Sequence, residues 1–464
     1  MENEILERLE SLLERADNLV WGSWLLVLLL GTGCYLMVRL RFLPLKNLKF
    51  ALGCAFGMGQ KGQEKREGSG ISSFSSLTTE LAATIGTGNI VGVATAMVLG
   101  GPGALFWMMV SSLAGMATKL VESTLAVKYR TQNDRGEPVG GPMYTMQNAF
   151  SNKRAGKLLG GIFAAFAVMS SFGMGNMTQS NSIAEALQVS FQVPRAQTGL
   201  VVSIVTILVV LGGIGSIAKV TQVMVPFMGI LYLFGALTVI VTHLKNLPAG
   251  ILSILVLAFC PNAVAGGIFG YMTVSGREAL RWGVSRGVFS NEAGLGAAGI
   301  SAAAAETKDY VRQGYISMTG VFLDTIVICL ITGLALACSG MVGSLNTKGE
   351  LLTGTSLTIA AFETTFGKMG AAFISVCITL FAFATIVGWA YQGEKAFEFL
   401  VKKSAYCIYY RLFYALIAFV GAVCSMKVIW DFSDICNGLM AVPNLICVLA
   451  LSQEAVQDIR AYPK

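Results

Sequence analysis

Charge is what this 464-residue sequence has least of. Only 13% of its residues are Asp, Glu, Lys or Arg, while 54% are hydrophobic and the mean hydropathy is +0.66. Soluble domains carry about 25% charge, so the composition excludes a soluble enzyme, a disordered chain and a nucleic-acid binder. The formal net charge of +7 does not reverse this, because the basic residues sit in loops between apolar runs. Histidine is rarer still. A single one, His243, rules out a histidine metal site or histidine proton relay. The ten cysteines form no CxxC pair and fall mostly inside apolar runs, as buried small hydrophobes do, so neither a disulfide framework nor a zinc site is expected. No HExxH or comparable nucleophile–base set appears, which argues against a membrane enzyme. There is no low-complexity linker and no second soluble domain.

Long apolar runs are what the chain does have. At about 20 residues per bilayer crossing, the expected fold class is an all-α polytopic membrane protein. The polar, acidic start, Met1–Asp17, lacks a basic region and a small-residue cleavage site, so a removable signal peptide is not expected. A first apolar run, about Leu19–Val38, is followed by Arg39, Arg41, Lys46, Lys49, Lys61, Lys65 and Arg66. That basic loop predicts a cytoplasmic position and an N-terminus outside. Further spans are expected at about 72–99, 103–127, 158–189, 199–215, 220–241, 251–274, 315–339, 370–400, 406–426 and 428–451, eleven in all. This alternation puts most Lys and Arg on one side, with Lys119 inside a span and the C-terminus in the cytoplasm. It also assigns Gly276–Gly314 to the cytoplasm, although the Ala-rich part from Gly294 could enter the membrane. Residues 1–70 then form the first span and basic loop, 71–452 a ten-helix core, and 453–464 a tail.

Two of these spans are interrupted. The first contains Gly86-Thr87-Gly88-Asn89, and the other Pro261-Asn262, Gly266-Gly267 and Phe269-Gly270. Such runs are poor helix formers, and unwound backbone is tolerated at membrane depth only where it lines a cavity or is buried in protein. Glycine also serves close helix packing. Paired breaks five spans apart, however, mark an inverted-repeat secondary transporter, with repeats over about 72–243 and 249–451. A half-helix beginning after a break offers N–H groups to a carboxylate, and one ending before it offers carbonyls to a small hard cation. Asn89, Asn262 and Thr87 add side-chain oxygens. The combination suits a zwitterionic amino acid moved with a cation.

Several segments then make the chain recognisable: GTGNIVGVATAMVLGGPGALFWM from Gly86, GGPMY from Gly140, GNMTQSNS from Gly175, RGVFSNEAGLG from Arg286, FLDTIVIC from Phe322, ATIVGWAYQGE from Ala384 and NGLMAVPN from Asn437. Through them the sequence resembles the alanine or glycine:cation symporter family, also called the sodium:alanine symporter family. It departs from the usual family pattern at Met109, Thr145 and Ala384. The resemblance implies a leucine-transporter-like fold of two inverted five-helix repeats with one added N-terminal helix. It implies symport of a small neutral amino acid, alanine or glycine, with Na⁺ by alternating access, in the cell membrane. No cofactor and no nucleic-acid partner are expected.

The same resemblance implies the site. Thr87, Gly88 and Asn89 would hold the substrate carboxylate and amino group, and Asn262, Gly266, Gly267 and Phe269 would complete the pocket. Gln179 and Asn176, three apart on one helix face, would join them unless they bond neighbouring helices. Trp389 would cap the pocket. Na⁺ would be held by the carbonyls of Ala82, Ile85 and Ala382 and the hydroxyl of Thr385, which as a mid-helix threonine could instead bond its own helix. Among the charges inside spans, Lys119 and Glu122 are expected to pair near the cytoplasmic end. Asp324 is divided between helix anchoring and ion coupling, and Arg286–Gly296 is expected at an inner gate. Proton coupling is the rival reading. It is disfavoured because neither expected break contains a titratable side chain.

Overall fold

The computed structural model describes residues 2–57, 70–260, 263–265, 272–346 and 348–463. The apolar runs fold as helices, and among the described residues eight are long and apolar enough to cross a membrane. α1 (Glu2–Val20) turns at Trp21-Gly22 into α2 (Ser23–Arg39), and the short α3 (Leu43–Lys46) and α4 (Leu48–Ala55) follow. The first interrupted segment is α5 (Ser73–Thr84) and α6 (Val91–Leu99). After α7 (Ala104–Lys128) come a two-stranded hairpin, β1 (Thr131–Gln132) and β2 (Pro138–Val139), and α8 (Pro142–Ala149). α9 (Lys153–Phe172) runs through a π-helical stretch, Gly173–Met177, into α10 (Thr178–Phe191). α11 (Arg195–Val210), α12 (Gly213–Thr242) and α13 (Leu247–Leu257) complete the first half.

A second hairpin pairs β3 (Ala263–Ala265) with antiparallel β4 (Met272–Val274). Then come α14 (Gly276–Asn291) and α15 (Ala297–Ala303), interrupted at Glu292–Gly296. α16 (Tyr310–Val321) passes through a second π-helical stretch, Phe322–Cys329, into α17 (Leu330–Ser339). α18 (Gly354–Phe366), α19 (Lys368–Val401), α20 (Cys407–Val423), α21 (Met426–Ala450) and α22 (Ser452–Ala461) follow.

The expected span over 251–274 is not a helix crossing. α13 is only 11 residues long, about half of what a bilayer requires. It is held at one end of the bundle, where the Asn246 amide donates to the Cys338 carbonyl at 2.8 Å. At that same end a Cβ on Gly103 would lie 2.4 Å from the Ala258 nitrogen. The segment that runs through the bundle is α14–α15, which had been expected in a cytoplasmic loop. Its start packs at the Gly100 end, where a Cβ on Gly100 would meet the Trp282 side chain at 2.9 Å. Its far end reaches the other side, where Ala305 bridges to Ile71 ahead of α5. Asn262, Gly266, Gly267 and Phe269 lie outside the described residues.

Candidate functional site

Ser72 opens α5 by accepting a hydrogen bond from the Ser75 N–H at 3.0 Å. The helical ladder persists to the Ile85 N–H, which bonds Leu81 O at 2.7 Å. There it stops, and Thr87–Asn89 make one 3₁₀ turn, wholly buried. Asn89 closes this turn: its Oδ1 accepts from the Gly86 N–H at 2.9 Å, and its Nδ2 donates to Asp324 Oδ1 at 2.7 Å. Residue 86 must be glycine because of what stands beside it. A Cβ there would fall 2.2 Å from Thr385 Oγ1 and 3.2 Å from Gln179 Oε1.

The Thr385 hydroxyl lies 3.1 Å from Ala82 O and 3.2 Å from Phe381 O. It has one proton and so donates to its own helix or to α5, but not fully to both. Ala382, one turn before it, and Ile85 are buried. Gln179 Oε1 accepts from the Thr87 N–H at 3.2 Å, and its amide donates to Met174 O at 2.9 Å. Thr87 Oγ1 is buried with no hydrogen-bond partner among the described residues. Asn176 donates its amide N–H to Tyr414 O on α20 at 2.6 Å, and its buried Oδ1 has no partner among the described residues.

The second interruption stands opposite the first. α14 begins under Ser275, whose side chain accepts from the Glu278 N–H at 3.2 Å. It ends at Glu292, which adopts φ +57°, and Gly294 and Gly296 follow at φ +90°. Glycine takes such angles freely, whereas a glutamate pays for them. A Cβ on Gly88 would touch Ser290 Cα at 3.2 Å and the Phe289 ring at 3.3 Å, so the first break packs on the last turn of α14, just ahead of the second. Asp324 joins them, since it also accepts from Ser290 Oγ at 2.9 Å. Trp389 packs against Gly175, where a Cβ would lie 2.4 Å from its own Cβ. Its indole N–H donates to Glu292 Oε1 at 2.6 Å. Glu292 Oε2 is buried and has no partner among the described residues.

Charge around the breaks is lopsided. Lys119 does not pair with Glu122. Its ammonium lies 3.4 Å from Glu80 Oε1 and donates to Asn291 O at 3.0 Å. Glu122 accepts instead from the Asn444 amide at 3.0 Å, which also reaches Gly294 O at 2.9 Å. Three-residue spacing put Lys119 and Glu122 on one face, but a partner 39 positions earlier, on α5, is closer. One buried ammonium thus serves a region holding four buried carboxyls, Glu80, Glu122, Glu292 and Asp324.

Arg286 sits between the rings of Trp282, Phe289 and Trp430, 5.1–5.4 Å from their centroids, and pairs with Asp434. Trp21, at the α1–α2 corner, donates to Asp434 O at 2.9 Å. This arrangement lies nearer the Gly100 end, where Trp282 packs, than the Ile71 end, where Ala305 bridges. At the opposite end Lys395 contacts Glu137 at 2.9 Å and Glu398 at 2.8 Å. Burial alone would raise the Glu137 carboxyl, but Lys395 and Asn133 outweigh it and hold it below its usual range.

Sequence reasoning missed Phe289, Ser290 and Glu292 as site residues, and Glu80 as the partner of Lys119. The readable signal was Asn-Glu-Ala-Gly-Leu-Gly beside an Ala-rich run, a weak helix former flanked by small residues.

The model of the sodium:alanine symporter family matches residues 6–464. The chain belongs to that family. It is 46% identical to the sodium/alanine symporter AgcS of Methanococcus maripaludis, over 97% of each chain. It is 36% identical to the probable sodium/glutamine symporter GlnT of Bacillus subtilis, over 98% of this chain and 91% of the relative. Its fold is similar to the crystal structure of MhsT in complex with L-phenylalanine, with a TM-score of 0.58, 14% identity, and coverage of 87% of this chain and 94% of that one. The chain is therefore a multi-pass membrane transporter of a cation-coupled amino-acid symporter family, with a leucine-transporter-like helical fold.

Proposed function

We propose that this family member carries out Na⁺-coupled symport of a small neutral amino acid, alanine or glycine, by alternating access. The observation that carries the reading is that the interruption at Gly86–Asn89 packs on the end of α14, next to the interruption at Glu292–Gly296 that Trp389 bonds. Thr87, Gly88, Asn89 and Gln179 hold the substrate, with Phe289 and Trp389 as walls. Phe289 here takes the place first given to Phe269. The pocket is small because its walls are packed to contact at Gly86, Gly88 and Gly175. A branched or aromatic substrate would have to displace them, at about 1–3 kcal/mol for each overpacked site.

Na⁺ is moved by an oxygen cage of Ala82, Ile85 and Ala382 carbonyls and the Thr385 hydroxyl. The pair in contact, Thr385 Oγ1 and Ala82 O, fits a cation that bridges α5 and α19 and so couples ion occupancy to the first break. The sodium/alanine symporter name of the relative at 46% identity supports both the ion and the substrate. The core comprises ten crossings within residues 71–452, as two inverted five-helix repeats behind the extra helix α2, eleven in all. α14–α15 supplies the crossing first expected at 251–274. The N-terminus is outside and the C-terminus cytoplasmic.

Glu292 favours a second reading. It is a titratable group inside a break, where the sequence had suggested none, and one of its oxygens is unpartnered. A proton carried on Glu292 would make it the coupling group. Uptake of labelled alanine into proteoliposomes separates the two: a Na⁺ gradient drives uptake in the first reading, and a pH gradient in Na⁺-free buffer does so in the second.

A further inference from the structure

A cavity of about 550 Å³ lies between α2 and the first turn of α14, away from the paired breaks. One wall is a single face of α2: Ser23, Leu26, Val27, Leu30, Gly31 and Cys34. Their spacing of three and four residues is that of one helical stripe. The stripe rises over eleven residues, about 16 Å at 1.5 Å per residue, and one leaflet of a bilayer core is about 15 Å deep. Val27 is 70% exposed, Cys34 is exposed, and a Cβ on Gly31 would meet nothing within 4 Å. The groove is therefore open to the hydrocarbon along its length.

Its other end is polar. Arg277, Glu278 and Arg281 from α14 close it, with Asn18 from the end of α1. Arg281 donates to Asn18 Oδ1, lies 4.0 Å from Asp17, and stacks over Trp282 at 5.4 Å. Trp24 is 48% exposed on the same turn of chain, with its indole N–H satisfied by Leu19 O at 2.8 Å. Half-exposed tryptophans of this kind mark the headgroup level of a membrane. Guanidinium groups are the side chains best shaped for a phosphodiester. A carboxylate directly beside them complements an ammonium.

We propose that this groove is a specific site for a phospholipid with a primary-amine headgroup, phosphatidylethanolamine. The phosphate meets Arg277 and Arg281, the ammonium meets Glu278, and one acyl chain lies along the Leu26–Cys34 stripe. The lipid is held by the first two turns of the helix that carries Arg286 and leads into Glu292, so it braces the outer end of the second interrupted segment. A free phosphate would use only the polar end and gain nothing from the stripe.

Native mass spectrometry of the full-length protein in detergent tests this, with phosphatidylethanolamine, phosphatidylglycerol of the same acyl chains, and inorganic phosphate as probes. The expected result is one retained phosphatidylethanolamine, held at least several-fold more tightly than phosphatidylglycerol, and no retained phosphate. Arg277→Gln should weaken that lipid several-fold, and Glu278→Gln should erase the preference between the two headgroups. Gly31→Leu places its Cβ in open space and its side chain toward the groove, and should displace the lipid without lowering the thermal unfolding temperature of the lipid-free protein. Equal retention of the two lipids would overturn the headgroup assignment. Unchanged phosphatidylethanolamine retention in both Arg277→Gln and Gly31→Leu would overturn the site.

Discussion

Replacing Trp389 with phenylalanine tests whether the indole of α19 holds the second interruption in place. In the native protein the indole N–H donates to Glu292 Oε1 at 2.6 Å, and Oε2 has no partner among the described residues. Phenylalanine removes that donor and also leaves a small void. The two effects separate in a double-mutant cycle with Glu292→Gln. A hydrogen bond to a charged group contributes about 1.5–3 kcal/mol and a neutral one about 0.5–1.5 kcal/mol. The void costs the same in either background and cancels. At an alkaline pH, where Glu292 carries its charge, Trp389→Phe should therefore destabilise the native protein by about 1 kcal/mol or more beyond its effect in the Glu292→Gln protein. The assay is the free energy of unfolding from denaturant titration in mixed micelles, with labelled-alanine uptake measured in parallel. Uptake should fall in Trp389→Phe, since Glu292 would no longer be fixed against the pocket wall. Additivity within about 0.5 kcal/mol, the scatter expected of independent sites, would refute the coupling between Trp389 and Glu292.

Other substitutions probe the remaining contacts. Thr385→Val keeps the side-chain shape and removes one oxygen. It should raise the Na⁺ concentration for half-maximal uptake more than a few-fold, from about 1–3 kcal/mol of lost ligation, and unchanged Na⁺ dependence would remove Thr385 from the ion site. Gly175→Val puts a branched side chain where even a Cβ falls 2.4 Å from Trp389. Overpacking of about 1–3 kcal/mol should depress both stability and alanine uptake, and wild-type uptake would show that the Trp389 wall yields. Lys119→Met leaves Glu80 buried without its ammonium and should cost about 3–5 kcal/mol. Adding Glu80→Gln should restore most of the folded yield in detergent, and a double variant no better than the single would refute the pairing.

The parts of the fold and site that could be read from sequence were those whose cause is local. Gly-Thr-Gly-Asn at 86–89 is a poor helix former whatever surrounds it, and the structure interrupts the helix there. The long apolar runs that became α7, α12 and α19 are equally self-declaring. The interruption at Glu292–Gly296 was not readable, because the same local rule drew attention to another Gly- and Pro-rich segment. Gly and Pro clusters mark turns as well as membrane breaks, and the described part of that expected span is the short α13 and the β3–β4 hairpin. Asn291–Gly296 was hidden by charge. Arg277, Arg281 and Arg286 look like a cytoplasmic loop until Arg286 is seen against Asp434, 148 positions away, and against three aromatic rings. Lys119 taught the same lesson. Its sequence neighbour Glu122 was visible, while the carboxylate it contacts lies on another helix. Asn176 and Gln179 show how little a shared face decides. One residue of the pair reaches the Thr87 amide and the other turns to α20.

Uptake of labelled alanine into proteoliposomes under an imposed Na⁺ gradient, with a parallel set in Na⁺-free buffer under an imposed pH gradient, tests the central claim most directly. The account predicts concentrative uptake in the first set, inhibited by glycine far more than by leucine or phenylalanine, and only passive equilibration in the second. Uptake driven by the pH gradient without Na⁺, and lost in Glu292→Gln, would contradict it and make Glu292 the coupling group.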